Sequence, residues 1–519
     1  PDIQNIVDEE YSDPSNYPDY VQYALDYALT VKQPDGQEVN YSKEMMKLYF
    51  QNEDPSFDLL FDSQDEGQTY VDRYKANILA DGSTVVAERV SFAPQPQSAM
   101  TIIDQHTGYV KAIIGGRGTK TASLTLNRAT DSTRQPGSTF KIVSTYAAAL
   151  NEKGMTLATT YEDQPITYDN GAPVNNASGS FNGTTTIRTA IRNSVNTVAV
   201  QCFEDVTPEL GLKYLDNFGF TTLAHGTEAD TDANGNVYTD ANLPTALGGL
   251  TYGVKNVELC AAYAAIANGG NYIKPVYYTK ILDHNGNVLI ENNSVGRSVI
   301  KETTAYLLTS ALEDVVQNGT GTACQLDNMA VAGKTGTTDA YNDLWFVGYT
   351  PYYTCAVWSG YDGNQKIPEG DARNFHKTLW RKVMNRIHQG MEYKDFEVPD
   401  GIEQISICAD TGLLPRVGCP VTEEYFDVGT MPTEYCDQHF YEYDESQDED
   451  MEIYDENATP TPDPENPDGT DNTDGSGGDG TGGDGTGGDG TGGDGTGGGD
   501  IQYPDESGGD SGNDDIYYY

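Results

Sequence analysis

The sequence is poor in positive charge. Its 519 residues hold 30 Lys and Arg against 80 Asp and Glu, for a formal net charge of −50. A chain this acidic repels phosphate, which argues against nucleic acid as a partner. Long apolar runs are missing too. No stretch approaches the ~18 consecutive apolar residues that a membrane-crossing helix needs, and no secretory leader is visible. The chain opens at Pro1 rather than Met. It reads as a fragment, so the missing span describes this chain and not its parent. Histidine is scarce, at six. His284 falls in a turn and His388 in a helical stretch, and nothing ties any His to a serine and a carboxylate in a Ser-His-Asp triad.

The acidity is uneven. Residues 441–519 hold 24 Asp and Glu and no Lys or Arg, and residues 477–496 repeat Gly-Gly-Asp-Gly-Thr with a period of five. Apolar residues are too few there to offset ordering entropy, so 446–519 is expected to be a disordered tail. The closing Ile516-Tyr-Tyr-Tyr519 reads as an inert end.

What is present is a serine placed for chemistry. In Arg134-Gln-Pro-Gly-Ser138-Thr-Phe-Lys141, Pro136-Gly137 breaks the preceding chain, and the apolar, Ala-rich run to Leu150 reads as a buried helix. Ser138 then lies in the first turn, with Lys141 one turn later on the same face. A serine hydroxyl becomes a nucleophile when a base takes its proton, and a neutral amine can serve. The helix N-terminus adds free N–H groups where an anion would develop. Two further stretches complete a set: Ser194-Val-Asn196, then Lys334-Thr335-Gly336-Thr337-Thr338. Ser-x-x-Lys, Ser-x-Asn and Lys-Thr-Gly in that order mark penicillin-binding proteins and class A β-lactamases.

On these motifs the chain resembles the penicillin-binding transpeptidase family, and most of all the C-terminal half of a bifunctional (class A) penicillin-binding protein. The resemblance covers about residues 96–395. It implies an α+β fold like that of serine β-lactamases, with a five-stranded antiparallel sheet flanked by helices. It implies Ser138 as nucleophile, Lys141 as base and Ser194 as proton carrier. Asn196 would hold a substrate amide, and Lys334 would supply a second cation that lowers the Lys141 pKa. Lys334 and Thr335 would line a strand edge, Gly336 would let backbone approach substrate, and Thr337 and Thr338 would bind its carboxylate. The Ser138 and Thr337 N–H groups would form the oxyanion hole. The substrates implied are peptidoglycan stem peptides ending in D-alanyl-D-alanine, and β-lactams would acylate the same serine. No cofactor and no metal ligand is assigned to the site. A membrane anchor, a glycosyltransferase domain and other cell-wall synthesis proteins belong to the implied parent, on the extracytoplasmic face of a bacterial membrane. Alternatives are a D,D-carboxypeptidase, with water as acceptor, and a non-catalytic sensor or scaffold, against which the intact motifs speak. A β-lactamase needs a hydrolytic carboxylate after Ser194. Glu228 lies in that direction, but in a Gly/Thr/Asp-rich loop.

Four domains are expected: a linker region at 1–95, the transpeptidase domain at 96–395, a small Cys-containing module at 396–445 and the tail. In the first, 17–29 has helical spacing and Pro34-Asp35-Gly36 signals a turn. In the second, 100–104 and 109–114 read as a hairpin, 184–193 as a capped helix ending before Ser194, 258–267 as a buried helix, 281–289 as an Asn-Gly hairpin, 303–316 as an amphipathic helix, and 344–349 and 354–358 as strands. Ser194 itself has the composition of a helix N-cap. Asp230-Thr-Asp232-Ala-Asn234-Gly235 matches the opening of a calcium loop, but Ala241 stands where the closing Glu belongs. Cys202, Cys260, Cys324 and Cys355 read as core residues. Cys408, Cys419, Cys436 and His439 fit either a Cys₃His zinc site or a disulfide with one thiol over; the ten residues between Cys408 and Cys419 favour the disulfide.

Overall fold

The computed structural model describes residues 2–120, 123–292 and 295–439. The tail expected at 446–519 lies outside them. The centre of the described chain is a five-stranded antiparallel sheet. Its order is Ala332–Thr337, Asp343–Tyr349, Thr354–Gly360, Gln97–Asp104 and Tyr109–Ile114. Side chains on these strands alternate between two cores, as the two-residue repeat of a strand requires. Trp345, Val347, Ala356, Trp358 and Ala99 face one way, among the helices Asn256–Ala267 and Glu302–Asn318. Phe346, Cys355, Val357, Met100 and Ile102 face the other, under the helices Asp2–Ser12 and Phe375–His388. Both faces are therefore covered, and the Lys334 strand is left at the sheet edge.

The 100–114 hairpin, the 281–289 hairpin, the 258–267 and 303–316 helices and the central strands form where the sequence places them. Two readings are corrected. Residues 17–29 do not form a helix: Gln22–Lys32 is a strand in a separate four-stranded sheet, paired with Glu38–Ser42, Leu60–Phe61 and Thr84–Gln95. Its buried residues, Leu25, Tyr27, Leu29 and Val31, recur every second position, and long-range pairing on both edges outweighs the local helical spacing. The expected helix at 184–193 also starts late. Gly183–Thr186 is a strand against Thr160–Asp163, and the helix runs Ile187–Asn193 with the Thr186 hydroxyl as its N-cap. The first helix, Asp2–Ser12, packs its Val7 and Tyr11 on the central sheet rather than on the 22–95 layer.

Candidate active site

The segment around Ser138 is helical but not uniformly α. Gly137–Thr139 is a tight 3₁₀ turn, Lys141–Tyr146 widens to π-type turns, and Ala147–Glu152 is α-helix. Widened turns inside helices are frequent at functional positions. Every residue from Thr139 to Leu150 is buried, including Lys141, whereas Ser138 keeps part of its surface open. Gly137 has φ of 55° and lies against the Lys334 strand: a methyl group there would come within 2.7 Å of the Thr337 carbonyl oxygen. Gly336 answers from the other side, where a methyl would meet the Pro136 carbonyl oxygen at 2.6 Å. Two glycines therefore let the Ser138 turn and the edge strand touch through backbone. Ser138 and Lys334, 196 positions apart, share one region of the molecule.

Ser194 joins them. It ends the helix Ile187–Asn193 in the left-handed region, at φ 57° and ψ 42°. It is thus a helix terminator and not the N-cap that its composition suggests; Val195 precedes the next helix, Asn196–Val206. A left-handed conformation costs a non-glycine residue about 1 kcal/mol, a strain that collects at functional sites. Here it turns the hydroxyl between two amines. Ser194 Oγ accepts from Lys334 Nζ at 2.8 Å and from Lys141 Nζ at 3.3 Å. Lys141 Nζ also donates to the Ser194 carbonyl at 2.7 Å and to Asn196 Oδ1 at 2.5 Å.

Both lysines are fully buried. Burial, and then the neighbouring Lys334 ammonium, holds the Lys141 amine well below the usual lysine value. Burial also brings Lys334 down to about 7. Desolvation penalises a charged amine, and a like charge penalises it further. The arrangement can therefore keep one amine neutral, as a proton acceptor, beside a second that still carries charge near neutral pH.

The other expected residues gather around this pair. Thr335 is half-buried, with its hydroxyl 2.7 Å from that of Thr320, and Thr337 is exposed at the edge. Thr338 has a structural duty: its hydroxyl accepts from the Asn342 and Asp343 N–H groups at 3.2 and 3.0 Å. Asn196 is likewise engaged, since its Nδ2 donates to the Asn175 carbonyl at 2.6 Å while its oxygen accepts from Lys141. Glu228 is exposed in a short 3₁₀ turn. In the would-be calcium loop, Asp230 accepts from His225 and Thr227, and Asp232 from Asn234 and Asn236, so the two carboxylates serve different turns. Far from Ser138 in sequence, the three thiols Cys408, Cys419 and Cys436 are free and converge with His439.

Some supporting residues carry no local sequence signal. Asp343 accepts from Arg134 Nε at 2.7 Å and from Trp358 Nε1 at 2.9 Å, and the Arg134 guanidinium lies 4.8 Å from the Trp358 ring centroid. This partly buried pair fixes the chain that leads into Ser138. Trp345 Nε1 donates to the Gln135 carbonyl at 2.9 Å. Asp163 and Asn176 tie down the 194–197 loop: Asn176 Oδ1 accepts from Asn196 N at 2.9 Å, and Asp163 Oδ1 accepts from Thr197 Oγ1 at 2.6 Å. Asp343 is disclosed only by pairing across the sheet, and Asp163 and Asn176 only by the loop contacts that bring them to Asn196 and Thr197.

Comparison with known proteins agrees with this geometry. Residues 98–385, more than half of the chain, match the penicillin binding protein transpeptidase domain family. The chain belongs to that family. Residues 398–441 match the C-terminal domain of penicillin-binding protein 1A. Penicillin-binding protein 1A of Clostridium tetani is 34% identical over 362 residues, which cover 66% of this chain and 45% of that protein. The Clostridium novyi protein of the same name is 36% identical over 364 residues, covering 66% and 40%. The chain thus spans less than half the length of these curated relatives. Among solved structures, penicillin-binding protein 1A from Haemophilus influenzae has the same fold, with a TM-score of 0.56 at 21% identity over 83% of this chain and 66% of that one. The PonA1 protein from Mycobacterium tuberculosis, solved in complex with penicillin V, has a TM-score of 0.51 at 27% identity, over 59% of this chain and 81% of its own.

Proposed function

We propose that the chain is a serine D,D-transpeptidase that cross-links peptidoglycan stem peptides through an acyl-Ser138 intermediate. The observation that carries this reading is the Ser194 hydroxyl shared by two fully buried amines, 2.8 Å from Lys334 and 3.3 Å from Lys141. Lys141, held neutral, takes the Ser138 proton as Oγ attacks the carbonyl carbon of the penultimate D-alanine. The oxyanion formed is met by the N–H groups of Ser138 and Thr337, aimed where charge develops. The C–N bond then breaks. A proton passes from Lys141 through Ser194 to the leaving amine, and D-alanine departs. Lys334 keeps positive charge beside the substrate carboxylate, which Thr337 on the exposed strand edge would receive. An amine from a second stem peptide then attacks the acyl carbon, loses its proton along the same route, and releases Ser138.

A β-lactam presents a strained amide with a carboxylate in the same relative place, so it would acylate Ser138, as the penicillin V complex of the PonA1 relative suggests by analogy. Among the described residues no carboxylate hydrogen-bonds to Ser194, Lys141 or Lys334, and this supports slow hydrolysis of that adduct. Among the described residues no helix is long and apolar enough to cross a membrane. An extracytoplasmic, membrane-anchored parent with a glycosyltransferase domain is the setting this reading implies. The test is release of D-alanine from a D-alanyl-D-alanine pentapeptide, with and without an acceptor amine. Cross-linked product from the native chain and none from Ser138→Ala supports the proposal. Release of D-alanine with water as the only acceptor makes the chain a carboxypeptidase, and no release from any donor peptide removes the enzymatic reading.

A further inference from the structure

The transpeptidase site leaves Cys408, Cys419, Cys436 and His439 unused, yet the backbone goes to some length to bring them together. Ile402–Cys408 and Val421–Asp427 form an antiparallel hairpin that pairs Cys408 with Val421. Cys419 stands just before the second strand. The chain then turns back onto the hairpin loop: Leu414 N donates to the Glu434 carbonyl at 2.9 Å, and Cys436 N to the Leu414 carbonyl at 2.8 Å. That pairing delivers Cys436 to Cys408, and His439 follows three residues later. The three sulfurs and a ring nitrogen all lie within 4.8 Å of one another. His439 Nδ1 is 3.4 Å from both Cys408 Sγ and Cys436 Sγ. A tetrahedral zinc ion, bonded to sulfur at about 2.3 Å and to nitrogen at about 2.0 Å, spaces its ligands roughly 3.5–3.8 Å apart.

Two surrounding contacts point the same way. His439 Nε2 is 3.2 Å from Asp410 Oδ2. A proton on Nε2 shared with that carboxylate leaves the Nδ1 lone pair facing the sulfurs, which is how a metal-bound histidine is oriented from behind. The Arg416 N–H donates to Cys419 Sγ at 3.2 Å, a contact that favours a thiolate. A disulfide would use two sulfurs and leave the third and the imidazole idle. The hairpin also needs a staple. Its buried apolar residues are Ile407 and Phe426, and they cluster with Ala158 of the transpeptidase domain. A segment this small has little core of its own, the condition under which disulfides or metals are recruited.

We propose that Cys408, Cys419, Cys436 and His439 bind one structural Zn²⁺ that staples the C-terminal module. With four protein ligands the ion has no open position and takes no part in acyl transfer. The expected disulfide gives way to this assignment because the fold brings all four groups together rather than two.

The test uses the full chain, purified without a polyhistidine tag and without chelator. Elemental analysis should find about one zinc per chain. Replacement of zinc by Co²⁺ should give the intense visible bands and near-ultraviolet thiolate-to-cobalt absorption of a tetrahedral sulfur-rich site. Cys436→Ser and His439→Ala should lose the metal, while Cys324→Ser, in the core under the sheet, should keep it. Asp410→Asn should keep the fold and bind zinc about 10–100-fold more weakly. Penicillin labelling of Ser138 in each variant reports whether the transpeptidase domain is folded. Absence of metal after refilling, retention of metal by Cys436→Ser, or a native disulfide between any two of the three cysteines by mass spectrometry would overturn the assignment.

Discussion

Replacing Ser194 by Ala removes one oxygen and tests the proton path. In the structure Lys334 Nζ has two acceptors, Ser194 Oγ at 2.8 Å and the Thr335 carbonyl at 3.2 Å. Without the hydroxyl a buried amine keeps only the longer contact. A hydrogen bond to a charged group contributes about 1.5–3 kcal/mol. Lys141 retains the Ser194 carbonyl and Asn196 Oδ1, so the fold should survive. Chemistry should suffer more, because a positioned proton carrier contributes about 10²–10⁴ in rate. The assay is the second-order rate constant for acylation by a fluorescent penicillin, with urea unfolding run in parallel. Ser194→Gly separates the two effects. It loses the same hydroxyl but relieves the left-handed backbone at φ 57°, so it should be about 1 kcal/mol more stable than Ser194→Ala and equally slow. Acylation of Ser194→Ala within threefold of the native rate would refute the proton route drawn through Ser194.

Acylation needs Lys141 neutral and Lys334 charged, so its rate should fall on both sides of a maximum, with the alkaline limb near pH 7 where Lys334 loses its proton; Lys334→Arg, which keeps its charge, should move that limb upward, and an unmoved limb would assign it elsewhere. The same depressed values mean that the folded chain binds fewer protons than the unfolded chain between about pH 7 and 10.5, so stability should rise with pH across that window, and Lys334→Met should flatten the rise in denaturant titrations. Glu424→Gln breaks a bidentate pair with Arg188, both contacts at 2.6 Å. Arg188 is partly exposed, so the loss should be about 3 kcal/mol by urea unfolding, with only a few-fold loss of acylation because the helix still ends at Ser194. Unchanged stability would show that the C-terminal module does not brace that helix. Gly137→Ala combines a positive φ with a methyl 2.7 Å from the Thr337 carbonyl oxygen, and should abolish penicillin labelling while circular dichroism stays near native.

The grouping of the candidate site was legible because its spacing is local: one helical turn separates Ser138 from Lys141, and the Ser194 and Lys334 motifs are short and meet Lys141 in the fold. The sheet was legible from tight turns between apolar runs, as at 104–109. What could not be read depends on partners supplied from elsewhere. The 22–32 strand has residues at both helical and alternating spacing, and only its neighbours at 38–42 and 84–95 decide between them. Asp343 is an ordinary acidic residue until Arg134 and Trp358 meet it across the sheet. Cys408, Cys419, Cys436 and His439 were grouped in the sequence as either a zinc set or a disulfide with one thiol over, and the ten-residue gap after Cys408 favoured the disulfide; the pairing of Leu414 with the 434–436 segment, which brings Cys436 back, carries no local signal.

The central claim is that Ser138 is the acylated residue, armed by Lys141. Incubating the chain with benzylpenicillin and mapping the adduct by peptide mass spectrometry tests it most directly. The account requires a stoichiometric adduct on the peptide containing Ser138, absent in Ser138→Ala and slowed by orders of magnitude in Lys141→Ala. An adduct on any other residue, or labelling that persists in Ser138→Ala, would contradict it.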